Sequence, residues 1–313
     1  MAVPAGTFQT YQAVGNREDL SDIITNISPT ETQFFSKIAE CNGGASGVKH
    51  EWQTDALGAT GANKHIEGDD TEFTALTPTV RLYNQCQIQK KSVVISGTQN
   101  TPKLKKAGRT SELDYQTAKK AIELANDVEY AFLREVRVDG DAGTARSMRG
   151  ALNWCISNVS KEATAVLNAD GTITPGIARA ITQAILDDTL QNIWTAGGKP
   201  DTIYTPASQK RKISALATAA LTNYRVAVEA NKLDTTIDVY VSEFGVNAIK
   251  PHRVLPAGTI FICDHKHFKK ATLRNTFREK LAKVGDNEKW HILVEHTLES
   301  CAEKASGRIV DLS

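Results

Sequence analysis

The 313-residue sequence has no CxxC pair, no apolar run of membrane-spanning length and no excess of either charge sign. Its five cysteines (Cys41, Cys86, Cys155, Cys263 and Cys301) are odd in number and far apart. That spacing argues against a disulfide framework and offers no clustered zinc ligands, so free thiols in a reducing cytosol are expected. A bilayer span needs about 20 apolar residues, and Met1 to Phe8 lacks the basic start and apolar stretch of a signal peptide. An aqueous setting with no membrane partner is therefore expected. Formal net charge is +1, from 37 basic and 36 acidic residues, which speaks against a dedicated nucleic-acid binder.

Reactive motifs are also missing. GxGxxG, HExxH and GxSxG do not occur. Gly197-Gly198-Lys199 lacks the upstream Gly of a phosphate loop and is followed by Pro200, so it reads as a helix end. In Cys263-Asp264-His265-Lys266-His267 the two histidines share one side if the segment is a strand, but no third ligand stands near, and a surface loop is the plainer reading. Around His50-Glu51-Trp52 and Asp55, strand alternation separates His50 from Glu51, so a structural Trp52 is expected in place of an acid/base pair. No catalytic, cofactor-binding or metal residue is assigned, and the chain is not read as an enzyme.

What is present is an unusual layout. Residues 1–45 hold few apolar side chains (Leu20, Ile23, Ile24, Ile27), followed by a Pro29 break, and need another surface to lie on. Val48 to Leu57 and Thr79 to Ser96 read as the arms of a long hairpin around a Gly/Asn/Asp/Thr-rich tip, Gly58 to Leu76. On the return arm Val80, Leu82, Cys86 and Ile88 share a face, and the phase slips at Lys90-Lys91. A two-stranded ribbon is marginal alone in water, so it implies a supporting surface.

Ser111 to Val136 reads as a helix of roughly 35–40 Å, capped by Ser111 with Asp114. Ala118, Ala121, Ile122, Ala125, Val128, Phe132 and Val136 form its apolar face. Beyond it, helix and strand alternate. A helix is expected from Thr174-Pro175 to Gly197-Gly198, a strand over Asp201–Thr205 and a helix from Pro206. Further strands are expected at Val226–Val228, Ile237–Val241, Thr259–Cys263, around Trp290, Ile292, Val294 and Leu298, and at Gly307–Leu312.

Charge clusters stand at Glu67, Asp69, Asp70 and Glu72, at Lys103, Lys105, Lys106 and Arg109, and at Lys266, Lys269, Lys270, Arg274, Arg278, Lys280 and Lys283. Read as solvated faces they need no partner. Read together, an acidic projection meets a basic surface on a neighbouring copy, which fixes register and rate more than affinity.

Three motifs, Tyr11 to Asp22 (YQAVGNREDLSD), Ile27 to Phe35 (ISPTETQFF) and His50 to Asp55 (HEWQTD), resemble one family of tailed-phage major capsid proteins over about 60 residues in order and separation. Where members often carry Pro before the Phe pair, this chain has Gln33. The resemblance implies an α+β chain with the tailed-phage major capsid protein fold shared with encapsulins. Its parts would be an N-terminal arm (1–45), an extended β-hairpin or E-loop (46–97), a peripheral domain with a long spine helix (98–138), an axial α/β domain (139–261) and C-terminal strands of the peripheral domain (262–313).

The resemblance further implies self-assembly into hexamers and pentamers of an icosahedral head around double-stranded DNA, bound without sequence specificity. It also implies a portal, possible separate scaffold or decoration proteins, assembly in the bacterial host cytoplasm and a final place in the virion capsid. Because the arm motif begins near residue 11, a separate scaffold, or none, is expected. Inter-subunit contacts are expected at Arg17, Glu18, Asp19, Trp52, Glu67, Asp69, Asp70, Glu72, Lys269, Lys270, Arg274 and Arg278. The rival readings are an encapsulin-like shell around protein cargo and an unrecognised cytosolic α/β enzyme.

Overall fold

In the computed structural model, residues 32–71, 73, 75–101, 111–220 and 238–313 are described. In chain order the elements are α1 (Gln33–Lys37), β1 (Ala39–Glu40), β2 (Lys49–Thr54), β3 (Val80–Gln85), β4 (Gln87–Ser96), α2 (Gly97–Asn100), α3 (Glu112–Arg134), α4 (Ala151–Trp154), β5 (Val159–Ser160), β6 (Val166–Leu167), β7 (Ile173–Thr174), α5 (Gln183–Thr195), β8 (Thr202–Thr205), α6 (Ala207–Ala220), β9 (Val239–Ser242), β10 (Gly245–Pro251), β11 (Ile260–Cys263), β12 (Phe268–Lys280), β13 (Asn287–Ser300) and β14 (Gly307–Ile309). Two main sheets result. A four-stranded sheet runs β1-β12-β13-β4, and a six-stranded one runs β5-β14-β11-β8-β10-β9.

Strands β8 and β11 are the wall between two cores. Alternation on β11 sends Ile260 and Ile262 to one side and Phe261 and Cys263 to the other, and both sides are buried. Ile203 and Tyr204 divide in the same way on β8. One core joins this wall to α5 and α6 through Leu186, Leu190, Ile193 and Ile213. The other joins it to α3 and the four-stranded sheet through Val128, Phe132, Ile292 and Leu298. Strands buried on both faces read as continuous apolar runs, which is why IFIC is recognisable in the sequence.

The arm's end lies inside its own subunit. Phe34 is fully buried, its ring 5.7 Å from Phe268, 6.0 Å from Phe261 and 6.4 Å from Tyr204. Phe35 packs edge-on against Phe132 at 5.0 Å, and β1 pairs parallel with β12. The short helix α1 has no capping side chain of its own. Instead Glu129, fully buried on α3, accepts from the amides of Phe34 (2.7 Å) and Phe35 (2.8 Å). The same carboxylate lies 2.7 Å from His252 Nε2, just past β10. A carboxylate at exposed first-turn amides satisfies orphan donors and complements the helix dipole.

Several expectations need correction. Helix α3 starts as expected, with the Ser111 side chain accepting from the Asp114 amide, but its buried face is Leu124, Val128, Glu129, Ala131, Phe132 and Leu133. Ala118, Ala121, Ile122 and Ala125 lie on the same side as Phe132 but are exposed on the subunit, because burial is confined mostly to the C-terminal half of the helix. No helix starts at Thr174-Pro175. Thr174 ends β7 and helix α5 begins at Gln183. The intervening chain is held extended because Asp311 binds the Gly176 amide and accepts at its carbonyl from Arg179 N–H. The return arm changes sheet at Cys86, ahead of Lys90: β3 pairs with β2 and β4 with β13. Ile88 is accordingly exposed.

Phe268–Lys280, read only as a basic region, is a long strand whose register shifts twice against β13. Strand β14 closes onto β11 in the six-stranded sheet, so the last residues do not stay with the C-terminal hairpin as the 262–313 boundary supposed. His265–His267 form a 3-10 turn, with His265 buried between Asp201 (2.7 Å) and the Tyr204 hydroxyl (2.9 Å). Val226–Val228 and Lys103, Lys105, Lys106 and Arg109 lie outside the described residues.

Replacing Glu129 with Ala leaves two helix amides and His252 Nε2 unpartnered in the core. A loss of about 3 kcal/mol or more is expected, with Glu129→Gln falling between Ala and wild type, read from urea unfolding of unassembled subunits. A pH effect follows from His296. Burial against Phe132 (4.9 Å) and Phe35 (5.8 Å), then Lys270, holds its imidazole down to about 4. An unfolded histidine titrates near ~6.5, so the associated stability is complete above that pH and declines as pH falls toward the folded value. Roughly 2 kcal/mol should be lost between about pH 7 and about pH 5. His296→Gln should remove most of that decline, and an unchanged pH slope in urea midpoints would exclude the assignment.

Candidate functional site

The ribbon β2–β3 runs in register from Lys49 opposite Gln85 to Thr54 opposite Val80. Its root is fixed by two side chains. Trp52 is buried, donates from Nε1 to the Ser300 carbonyl at 2.9 Å and stands 5.5 Å from the Trp154 ring. Asn84 is fully buried and donates to the Arg149 and Leu298 carbonyls while accepting from the Gln85 and Arg149 amides. All the hydrogen-bonding capacity of that side-chain amide is used. A one-residue slip would move Asn84 to the opposite face, so this residue sets the register. Sequence reading missed it because a lone Asn in a strand-like run carries no periodic signal. Trp52, expected at an inter-subunit contact, is buried within its own subunit.

Beyond the root, every described residue from 55 to 81 is exposed. Leu57 is 100% exposed, Phe73 95% and Leu76 95%. A turn at Ile66–Asp69, with Gly68 at φ 84°, presents Glu67, Asp69 and Asp70 at the surface. Glu72 falls outside the described residues, as do Arg17, Glu18 and Asp19.

The expected basic partners divide into two groups along β12. Lys269 and Lys270 sit where β1 pairs, and Lys270 Nζ lies 4.5 Å over the Phe35 ring. Arg274 and Arg278 are on the exposed part of the β12–β13 hairpin. Both already have partners within the chain: Arg274 donates to Glu295 at 2.6 Å, beside Arg146, and Arg278 covers Trp290 at 4.2 Å and pairs with Asp114 at 3.7 Å. The structure therefore brings together no unpaired basic cluster from the four residues.

It does bring together four residues from three separated chain segments. His50 Nε2 lies 3.2 Å from Glu299 Oε2, and Cys301 Sγ lies 3.2 Å from Glu299 Oε1. Cys41, following β1, joins them: its ligand atom and those of His50 and Glu299 lie within 4.8 Å of one another. The hydrogen bond from His50 outweighs burial and holds the Glu299 carboxyl down to about 2. Burial, then Glu299, pushes the Cys301 thiol up to about 11, and burial raises Cys41 as well.

A long helix beside a four-stranded sheet, a mixed α/β half with its own core and a projecting loop on a rooted ribbon together make the fold of tailed-phage shell subunits. Solved structures are similar over nearly the whole chain. The cyanophage A-1(L) capsid subunit has a TM-score of 0.68 at 14% identity, covering 97% of this chain and 98% of that one. A subunit of the capsid of a native GTA particle has a TM-score of 0.62 at 12% identity, covering 97% and 98%. The holo-SrpI encapsulin of Synechococcus elongatus PCC 7942 has a TM-score of 0.56 at 8% identity, covering 93% and 92%.

The chain belongs to the SU10 major capsid protein family, whose profile matches residues 4–313. It is also similar to the major capsid protein of Escherichia phage Phieco32, at 27% identity over 341 aligned positions spanning 96% of this chain and 95% of the relative. Among the described residues no helix is long and apolar enough to cross a membrane.

Trp52→Ala should cost about 3–5 kcal/mol in the subunit and free the ribbon from β13. Amide exchange should then rise selectively over residues 49–54 and 80–85. Uniform protection across the ribbon would show that Trp52 is not its anchor.

Proposed function

We propose that this chain is the shell-forming subunit of a tailed-phage head, associating with copies of itself into hexamers and pentamers that close around double-stranded DNA. Membership of a major capsid protein family supports the structural role, which requires no reacting group. The single observation that carries the self-association is the loop from 55 to 79, where Leu57, Ile66, Phe73 and Leu76 stand almost bare. Apolar side chains concentrated on one projection mark an interaction surface, and fully burying each contributes about 1.5–3 kcal/mol.

The acidic turn of that loop, Glu67, Asp69 and Asp70, seats against basic side chains of the adjacent subunit on the exposed end of the β12–β13 hairpin. Because Arg274 and Arg278 already have intramolecular partners, that contact steers docking more than it adds affinity. The residues before 32, including Arg17, Glu18 and Asp19, extend the same contact network. Packaged DNA is held without sequence specificity, and a portal with separate scaffold or decoration proteins completes the particle. Synthesis and assembly take place in the host cytoplasm, and the finished protein resides in the virion.

Electron microscopy with sedimentation velocity on the purified protein, alone and with its scaffold, tests the reading. Closed shells or discrete hexamers and pentamers are expected. A compact monomer that stays inert with scaffold present would overturn it, and shells filled with a single enzyme and free of DNA would favour the encapsulin-like alternative. Reversing the turn charges (Glu67→Lys, Asp69→Lys, Asp70→Lys) should lower assembly yield and reduce its sensitivity to salt. Unchanged yield and salt response would remove the electrostatic part of the proposal.

A further inference from the structure

We propose that Cys41, His50, Glu299 and Cys301 bind one thiophilic divalent cation, zinc by their ligand chemistry, which staples the arm's end and the ribbon's root to β13. Two sulfurs, one imidazole nitrogen and one carboxylate oxygen suit a borderline-soft ion that favours four tetrahedral ligands, and they do not suit magnesium or calcium. The ligands come from three chain segments: Cys41 after β1, His50 on β2, and Glu299 with Cys301 at the end of β13.

Their backbones are held from outside the cluster. The Cys41 amide donates to the Lys270 carbonyl at 2.8 Å, and the Cys301 amide donates to the His267 carbonyl at 2.8 Å. After Cys41 the chain turns at Gly44, where a φ of +62° and a Thr272 carbonyl oxygen 2.7 Å from the place a Cβ would occupy exclude a side chain. His50 leans on the Trp52 ring at 5.8 Å.

Cys41, His50 and Glu299 already place one ligand atom each within 4.8 Å of one another. Bonds of ~2.0–2.3 Å in a tetrahedron need ligand atoms roughly 3.3–3.8 Å apart, so a contraction of about 1 Å completes the set. Rotation of the thiol and carboxylate side chains supplies it. Cys301, 3.2 Å from the other Glu299 oxygen, lies outside that 4.8 Å group and serves as the fourth ligand once its thiol turns toward the three.

Charge also balances. Two thiolates and a carboxylate are neutralised by a divalent ion together with Lys269, which lies opposite Glu299 on β12 and acts electrostatically on Cys41, Glu299 and Cys301. In the protonated cluster His50, Cys41 and Cys301 all hydrogen-bond the one carboxylate; the ion takes the place of those protons. Partial exposure of Cys41 and Cys301 leaves it a way in.

The test uses the full chain, stripped with chelator under reducing conditions, then given zinc or cobalt(II) and freed of excess metal. About one zinc per chain by elemental analysis is expected, with a thiolate-to-cobalt charge-transfer band and a thermal midpoint raised by zinc and lowered again by chelator. Cys41→Ser with Cys301→Ser should lose the band and the retained zinc. If that variant does not fold, His50→Gln serves in its place and should weaken zinc binding roughly tenfold or more. Absence of retained zinc and of the cobalt band in the reduced wild type overturns the site. So does full retention by the variants, or a Cys41–Cys301 disulfide in the native protein.

Discussion

A buried carboxylate with three donors around it organises the subunit. Glu129 lies on the long helix α3, yet the groups it serves belong to the arm's end and to the segment after β10. Helix α1 is five residues long, too short to persist in water on propensity. Its first-turn amides would be orphaned in an apolar interior without an acceptor. With Glu129 in place, Phe34 can enter the space between Phe261, Phe268 and Tyr204, and β1 can reach the edge of β12. Burying a charge is costly unless every lone-pair direction is used, so the carboxylate and its donors stand or fall together.

That clamp explains how the two cores stay in register. Tyr204 and Phe261, on the wall formed by β8 and β11, face the core that holds Phe34, while Ile203 and Ile260 face the other. Moving the arm's end would empty one side of this wall without touching its other side. Close-packed interiors tolerate such a void poorly. The arm's end is thus part of the folding unit, and among the described residues the free projection is the loop between β2 and β3.

The legible parts of the sequence were those where local pattern and tertiary role agree. Ser111 capping the long helix, the IFIC strand and the Gly197 stop after α5 each follow from adjacent residues alone. The misread parts were those where a distant partner decides. Glu129 stands on the apolar side of α3, where a charge signals no clamp, and the same side is covered only in the C-terminal half of the helix. Two register shifts erase the period of two in β12, leaving only its charges visible. Asp311, from the far end of the chain, keeps the residues after Thr174 extended where Thr-Pro signals a helix. Cys41 and Cys301 meet at Glu299 only because β1, β2 and β13 converge, and spacing along the chain cannot show that convergence.

The ribbon and its loop show how a stable body can carry a surface that is unsatisfied by itself. Asn84 and Trp52 use backbone carbonyls of the body as acceptors, so the ribbon's register is independent of whatever covers the loop. In the proposed docking of a neighbouring copy, a pre-set root would reduce the conformational entropy lost when the loop is covered. In the proposed contact the bare Leu57, Phe73 and Leu76 would supply apolar area, and the acidic turn would select the direction of approach. On that proposal, docking strength could be set by the loop's apolar residues without disturbing Glu129 or either core. Stability of the subunit and strength of the proposed shell contact would thereby rest on different side chains.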